Sequence, residues 1–431
     1  MELQQYNHSI LKETLYHSVD KSGLNVYVLP KKGYSKSYAI FATHYGSIDS
    51  KFVMPGEDKE TEVPDGIAHF LEHKLFEQKE GNVFDQFSRL GSSANAFTSF
   101  TTTAYLFSST SKFYENLDIL LNFVQNPYFT DESVQKERGI IGQEIRMYDD
   151  EPNWRVFFNF LGALYHHHPV KKDIAGTIES ISKINKEILY KCYNTFYHPA
   201  NMILFVVGEV EPDKIIRHVD KNIVAKESPQ GEIKRIYPEE PTTVYKQKVE
   251  QNLSVSLPLF QMGFKDIDIG YGGIALLKKD IVTRIILEMI IGKSTSLYQS
   301  LYEQGLINDT FQTDFNAEIN YGFTIFGGES IHPEKVQQEI MHEINRLQRD
   351  GLDKAVFDRI KKVIIGRFLR QFNNIDRLAN NFVANLFKDI NLFDYIKTYQ
   401  SITFDDIQQR FTKHFKNDNM AISIIKPHET N

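Results

Sequence analysis

Apolar residues recur along this chain in two rhythms. Gly23 to Ser47 alternates, is rich in Val, Tyr, Ile and Phe, and reads as strands joined by a turn near Lys32 and Gly33. Pro64 to Gln78 has the helical period. Phe84 to Leu90 continues helical until Gly91. Ser93 to Ser108, SANAFTSFTTTAYLFS, is rich in Thr and aromatics and reads as strands. Ser111 to Gln125 and Asp131 to Met147 are helical again, with Thr130 or Asp131 as cap of the second and Pro152 as its stop. Met202 to Val210 is an apolar run suited to a buried strand. Polar, proline-containing sequence follows from Ser228 to Thr243, and Val255 to Gly263 then starts another strand-like stretch.

The cycle repeats. HFLEHKLFEQ at His69 to Gln78 matches IILEMIIGKS at Ile285 to Ser294 in its Leu-Glu pair. NVFDQFSRLG at Asn82 to Gly91 resembles SLYQSLYEQG at Ser296 to Gly305. ERGIIGQEIR at Glu137 to Arg146 resembles KKVIIGRFLR at Lys361 to Arg370. Three weak matches in one order point to an internal duplication. The expected organisation is a domain over residues 1–228, a linker over 229–243 and a second copy over 244–431. The fold class is α+β, two tandem homologous α/β sandwich domains, each a mixed sheet packed by helices.

Composition narrows the function. A chain with 41% hydrophobic and 24% charged residues is built for globular domains. A net charge of -7 without a long basic run argues against nucleic acid. The single cysteine, Cys192, allows no intrachain disulfide and fits a buried small side chain in a reducing compartment. The start of the chain has no basic-then-apolar pattern, and no apolar run is long enough for a bilayer. A cytoplasmic protein with no membrane association is expected.

The chemistry sits on the Pro64–Gln78 helix. With about 100° of turn per residue, His69 and His73 project from one face and Glu72 lies beside them. Ile67, Phe70, Leu71 and Leu75 fall mostly on the other side. Two imidazoles and one carboxylate suit a catalytic zinc with an open fourth position. Glu72 is placed to act as general base. The third ligand must come from elsewhere, and Glu144 is assigned, with Glu137 as its competitor. In the second copy His69, His73 and Glu144 become Ile285, Met289 and Phe368, so the proposed ligands disappear together. Glu137, seven residues before Glu144, shares its helix face and is assigned to orient a ligand by hydrogen bonding. Gly139 and Gly142 are expected to let the two helices approach closely. His166-His167-His168 invites a second metal, but neighbouring histidines in a strand or loop point different ways, and a surface loop is expected.

These residues resemble the insulinase/pitrilysin metallopeptidases, the inverzincins, whose signature is H-x-x-E-H with a distant glutamate. The likeness covers HFLEH, the ERGIIGQE helix, NAFTSFTTTAY, the His168 to Gly176 segment and YHPANMILFVVGEV at Tyr197 to Val210. It is strongest with the short two-domain branch of processing peptidases and bacterial zinc proteases, some of which pair an active with an inactive subunit. The resemblance implies one zinc per chain and a dimeric chamber in which unfolded peptides are hydrolysed. It also implies a substrate-pairing strand edge formed by Asn95, Ala96, Phe97 and Thr98. It further leads one to expect an Arg and a Tyr in the second domain, but LYEQGLINDT offers Tyr302 for the Arg and Asn308 or Asp309 near the Tyr. A heterodimer with a zinc-less homologue is therefore expected, with a homodimer as the fallback. A non-catalytic peptide-binding or scaffold subunit is the alternative.

Overall fold

Met202–Gly208 is buried at every position and lies inside a sheet, not at its margin. A strand hidden on both faces has no polar side to show, so its sequence is a run and not an alternation. The structure is a computed structural model describing residues 2–224, 226–227 and 231–428. The chain divides into two compact units. The first is Met1–Ile145, Asp173–Tyr237 and Arg370–Phe387; the second is Arg146–Lys172, Pro238–Leu369 and Lys388–Asn431.

The sheet of the first unit has seven strands: β1 (Gln4–His8), β2 (Glu13–Val19), β3 (Asn25–Pro30), β4 (Ser37–Thr43), β5 (Ser93–Thr98), β6 (Thr103–Ser109) and β7 (Met202–Gly208). Their order is β1-β2-β3-β7-β4-β6-β5, which leaves β5 as an edge. Only β3 and β7 run parallel; the other neighbours are antiparallel. Helix Ile67–Leu75 packs on β5 and β6, and helix Phe113–Gln125 on β6. Helix Ile375–Leu386 packs on β4 and β7, with Phe382 stacked on Phe205 at 4.3 Å between ring centroids.

The second unit repeats this plan. Its strands are β8 (Lys248–Leu253), β9 (Leu259–Phe264), β10 (Gln312–Ala317), β11 (Gly322–Glu329) and β12 (Met420–Pro427), in the order β8-β12-β9-β11-β10. The order and directions are those of β3-β7-β4-β6-β5, including one parallel pair, β8 with β12. The duplication seen in the sequence is thus a duplication of topology. Helix Pro152–Leu164 covers β12 and β9.

The helix before Pro152 ends at Asp149, and Pro152 is itself the first residue of the next helix, Pro152–Leu164, whose N-cap Glu151 accepts a hydrogen bond from the Trp154 amide. Proline suits that position because the amide it lacks would have no helical partner. The polar stretch 229–243 holds a boundary between the two units, at Tyr237 and Pro238, and makes ordered contacts of its own; residues 229 and 230 lie outside the described residues. Lys234–Arg235 pairs with Phe52 and Val53, and Arg235 Nε donates to Asp49 Oδ1 at 3.0 Å. Glu240 belongs to the second unit. Its carboxylate accepts the amides of His166, His167 and His168 at 2.7, 2.7 and 2.8 Å and the Lys265 ammonium at 2.5 Å.

Candidate metal centre

The His helix is shorter than its periodicity suggests, Ile67–Leu75. It starts at Gly66, which has φ +88°, and a Cβ there would lie 2.4 Å from the Ala175 carbonyl oxygen. Gly176, at φ +76°, faces it in the same way: its Cβ would lie 2.6 Å from the Asp65 carbonyl oxygen. Ser180 Oγ donates to that same oxygen at 2.8 Å. Two glycines back to back therefore let the 173–180 segment clamp the start of the helix. Ile67, Phe70, Leu71 and Leu75 are buried as its packing face.

The other face carries His69, Glu72 and His73. Opposite lies helix Asp131–Asp149, whose first turn is capped by Thr130 Oγ1 accepting the Ser133 amide at 3.1 Å. It supplies Glu137 and Glu144, two turns apart. Glu144 Oε2 lies 3.7 Å from His69 Nε2 and 3.6 Å from His73 Nε2. The three ligand atoms lie within 4.8 Å of one another, and they form the one such group among the described residues. His73 Nδ1 faces Glu137 Oε1 at 3.1 Å. Glu137, the competing ligand in the sequence, thus takes the far side of the His73 ring. Glu72 Oε2 accepts a hydrogen bond from Thr98 Oγ1 at 2.6 Å.

The electrostatics suit a cation. Burial pushes the His69 imidazole down to about 3, and the neighbouring His73 adds to this, so His69 is a neutral donor at any ordinary pH. Burial also pulls His73 down, but the hydrogen bond to Glu137 and the charges of Glu72 and Glu144 outweigh it and leave His73 raised. Burial raises Glu72 despite the Thr98 hydrogen bond. Two imidazole nitrogens and a carboxylate oxygen, converging in a half-buried acidic place, are the donor set that fits zinc.

The second unit shows the same framework without the donors. Ile285, Met289 and Phe368 are buried, and Phe368 stacks on Tyr395 at 4.8 Å. Glu288, which matches Glu72, is ion-paired with Arg367.

The remaining predicted residues are placed as follows. Asn95, Ala96, Phe97 and Thr98 all lie on the edge strand β5. Asn95 is exposed and its Oδ1 accepts the Ala96 amide at 2.9 Å. Gly139 and Gly142 do not mediate the helix approach: a Cβ on Gly139 would meet nothing within 4 Å, and one on Gly142 would meet Ile178 at 3.4 Å. His167 is exposed as a loop residue should be, but His168 is buried and its Nδ1 accepts the Val170 amide. Cys192 is buried, and burial pushes its thiol up to about 12, as suits a packing residue. The Gly66–Gly176 clamp and the Thr98–Glu72 bond were not foreseen. The first leaves a trace in the sequence as an isolated glycine at the start of the helix; the second leaves none, because it depends on a distance across the fold.

Residues 52–178 match the family description "Insulinase (Peptidase family M16)" and residues 183–364 match "Peptidase M16 inactive domain". YmfH of Bacillus subtilis, described as an uncharacterized zinc protease, is 47% identical over 419 residues, 97% of either chain. The crystal structure of an M16-like peptidase from Alicyclobacillus acidocaldarius superposes with a TM-score of 0.92 at 36% identity, covering 99% of both chains. A protease from Helicobacter pylori shares the fold with a TM-score of 0.79 at 19% identity, covering 99% of this chain and 100% of that one. With a candidate metal-ligand group on its first unit and these relatives along its whole length, the chain belongs to the insulinase family of zinc proteases, peptidase family M16.

Proposed function

We propose that the chain is a zinc metalloendopeptidase in which His69, His73 and Glu144 hold one zinc and Glu72 is the general base. The observation that carries this is the convergence of two imidazole Nε2 atoms on Glu144 Oε2, with Glu72 on the same helix face. Zinc held there supplies Lewis acidity, which lowers the pKa of a water towards about 7 and polarises a scissile carbonyl. Glu72 accepts a proton from the attacking water and passes it to the leaving amine. Glu137 fixes the ring of His73 through Nδ1, which leaves Nε2 as the donor nitrogen. An unfolded or precursor peptide adds as a strand to the free edge of β5, along Asn95, Ala96, Phe97 and Thr98, so backbone pairing gives affinity with broad sequence tolerance.

A partner completes the enzyme in this reading. Tyr302 is exposed where the resemblance leads one to expect an Arg, and Asn308 is engaged with Glu329 at 2.9 Å. A zinc-less homologue would donate the missing groups in a heterodimer, with a homodimer as the fallback. The same departure favours a second reading, a peptide-binding subunit without activity of its own. Among the described residues no helix is long and apolar enough to cross a membrane, and we place the enzyme in the cytoplasm. The test is zinc-dependent cleavage of an unstructured peptide by the chain, alone and with a zinc-less homologue, beside Glu72→Gln. Cleavage lost in Glu72→Gln is expected. A zinc-loaded chain that binds the peptide but never cleaves it in either setting would leave the second reading.

A further inference from the structure

Glu72 is nine-tenths buried, so its carboxylate depends on the protein for a donor. That donor is Thr98, at the end of β5. Alternation along the strand puts Thr98 and Ala96 on one side and Asn95 and Phe97 on the other, and β5 touches the His helix. Thr98 Oγ1 lies 2.6 Å from Glu72 Oε2, the length of a charge-assisted O–H···O bond.

A second threonine competes only weakly for the Thr98 proton. Thr103 is the cross-strand partner of Thr98 on β6 and is fully buried. Its hydroxyl donates to the Tyr45 carbonyl oxygen at 2.9 Å. With its proton committed there, Thr103 can meet Thr98 only as an acceptor, and at 3.4 Å that contact is long. The single Thr98 proton therefore goes to Glu72.

We propose that Thr98 is a positioning residue for Glu72, its hydroxyl holding the carboxylate and tying it to the strand whose free edge receives the peptide. This rests on the reading of Glu72 as the general base. Thr98 then serves the reaction through its side chain and not only as one more main-chain unit of the substrate edge.

The test uses the full chain with Thr98→Val, which removes the hydroxyl at nearly constant volume, and Thr98→Ser, which keeps it. The first readout needs no activity. In a double-mutant cycle with Glu72→Ala on the metal-free chain, Thr98→Val is expected to lower the thermal midpoint by about 3 °C when Glu72 is present and by less than about 1 °C when it is absent. The second readout is cleavage of an internally quenched unstructured peptide by the zinc-loaded chain in whichever setting the parent cleaves, alone or with its zinc-less homologue. Thr98→Val is expected to lower kcat by about 10- to 100-fold with KM within about twofold and zinc content unchanged, while Thr98→Ser stays within about threefold of the parent. Equal midpoint shifts with and without Glu72 would overturn the proposal, as would a rise in KM at constant kcat. Cleavage retained in Glu72→Gln is a different failure: it would remove the base reading, and the positioning role with it.

Discussion

Glu137 offers the most informative perturbation of the proposed centre, because it meets it through a hydrogen bond to His73. It is buried, and its Oε1 lies 3.1 Å from His73 Nδ1. A hydrogen bond to a charged group contributes about 1.5–3 kcal/mol net. At about 1.4 kcal/mol per tenfold, its loss is worth about 10- to 100-fold in zinc affinity, the range seen when a ligand's outer partner is removed. Glu137→Gln keeps an acceptor oxygen and loses the charge, so the lower end is expected. Glu137→Ala leaves the imidazole N–H without its acceptor, so the upper end is expected. The assay is competition for zinc against a chromophoric chelator at fixed pH, with the thermal midpoint of the metal-free protein measured in parallel. Weakened affinity, graded from Gln to Ala and with the metal-free midpoint within a few degrees of the parent, is the expected result. Parent-like affinity in both variants would refute the claim that Glu137 orients His73. Loss of affinity only in step with loss of folding would refute it as well.

Two further outcomes concern the framework. Burial, reinforced by the charge of Arg235 for His44 and of Arg410 for His414, pushes these histidines down to about 3 and about 4. Unfolded, they take up protons near pH 6.5, so between about pH 4 and 6.5 the unfolded state binds more protons and stability rises with pH. At pH 5 the loss relative to pH 7 is on the order of 2 kcal/mol for His414, and the thermal midpoint of the metal-free chain should fall accordingly; His414→Gln should flatten the slope, and an unchanged slope would contradict the buried-neutral assignment. Gly176→Ala puts a Cβ 2.6 Å from the Asp65 carbonyl at φ +76°, which should cost about 1–3 kcal/mol and weaken zinc binding by displacing the start of the His helix. Gly33→Ala, with φ +82° and no neighbour within 4 Å, should share the backbone strain but leave zinc affinity unchanged.

The parts of this account that were legible in the sequence are those written in local periodicity or in the repeat. His69, Glu72 and His73 share a face because a helix has a fixed turn, and the apolar counterparts Ile285, Met289 and Phe368 isolate the three proposed donors by contrast. The buried run at Met202–Gly208 could be read from composition alone. The assignment of helices to sheets could not. Residues 146–172 fall within the first expected domain and 370–387 within the second, yet each segment belongs to the other compact unit. An apolar helix face requires a sheet to cover but does not specify which one. Gly139 faces open space and Gly142 faces Ile178, and in sequence neither can be told from a glycine at a helix crossing. Glu240 looked like linker polarity, and its role as acceptor for three successive amides is a long-range one. The seven-residue spacing led to the expectation that Glu137 orients a ligand; that its neighbour is His73, and which carboxylate faces Nε2 and which faces Nδ1, is visible only in three dimensions.

Zinc content of the purified chain, beside His73→Ala and Glu144→Gln, bears most directly on the central claim. The account predicts close to one zinc per folded parent chain, and little or none in either variant after dialysis, with both variants still folded by circular dichroism. A folded parent that takes up no zinc when zinc is supplied, or variants that retain it as the parent does, would contradict the assignment of His69, His73 and Glu144 as the metal site.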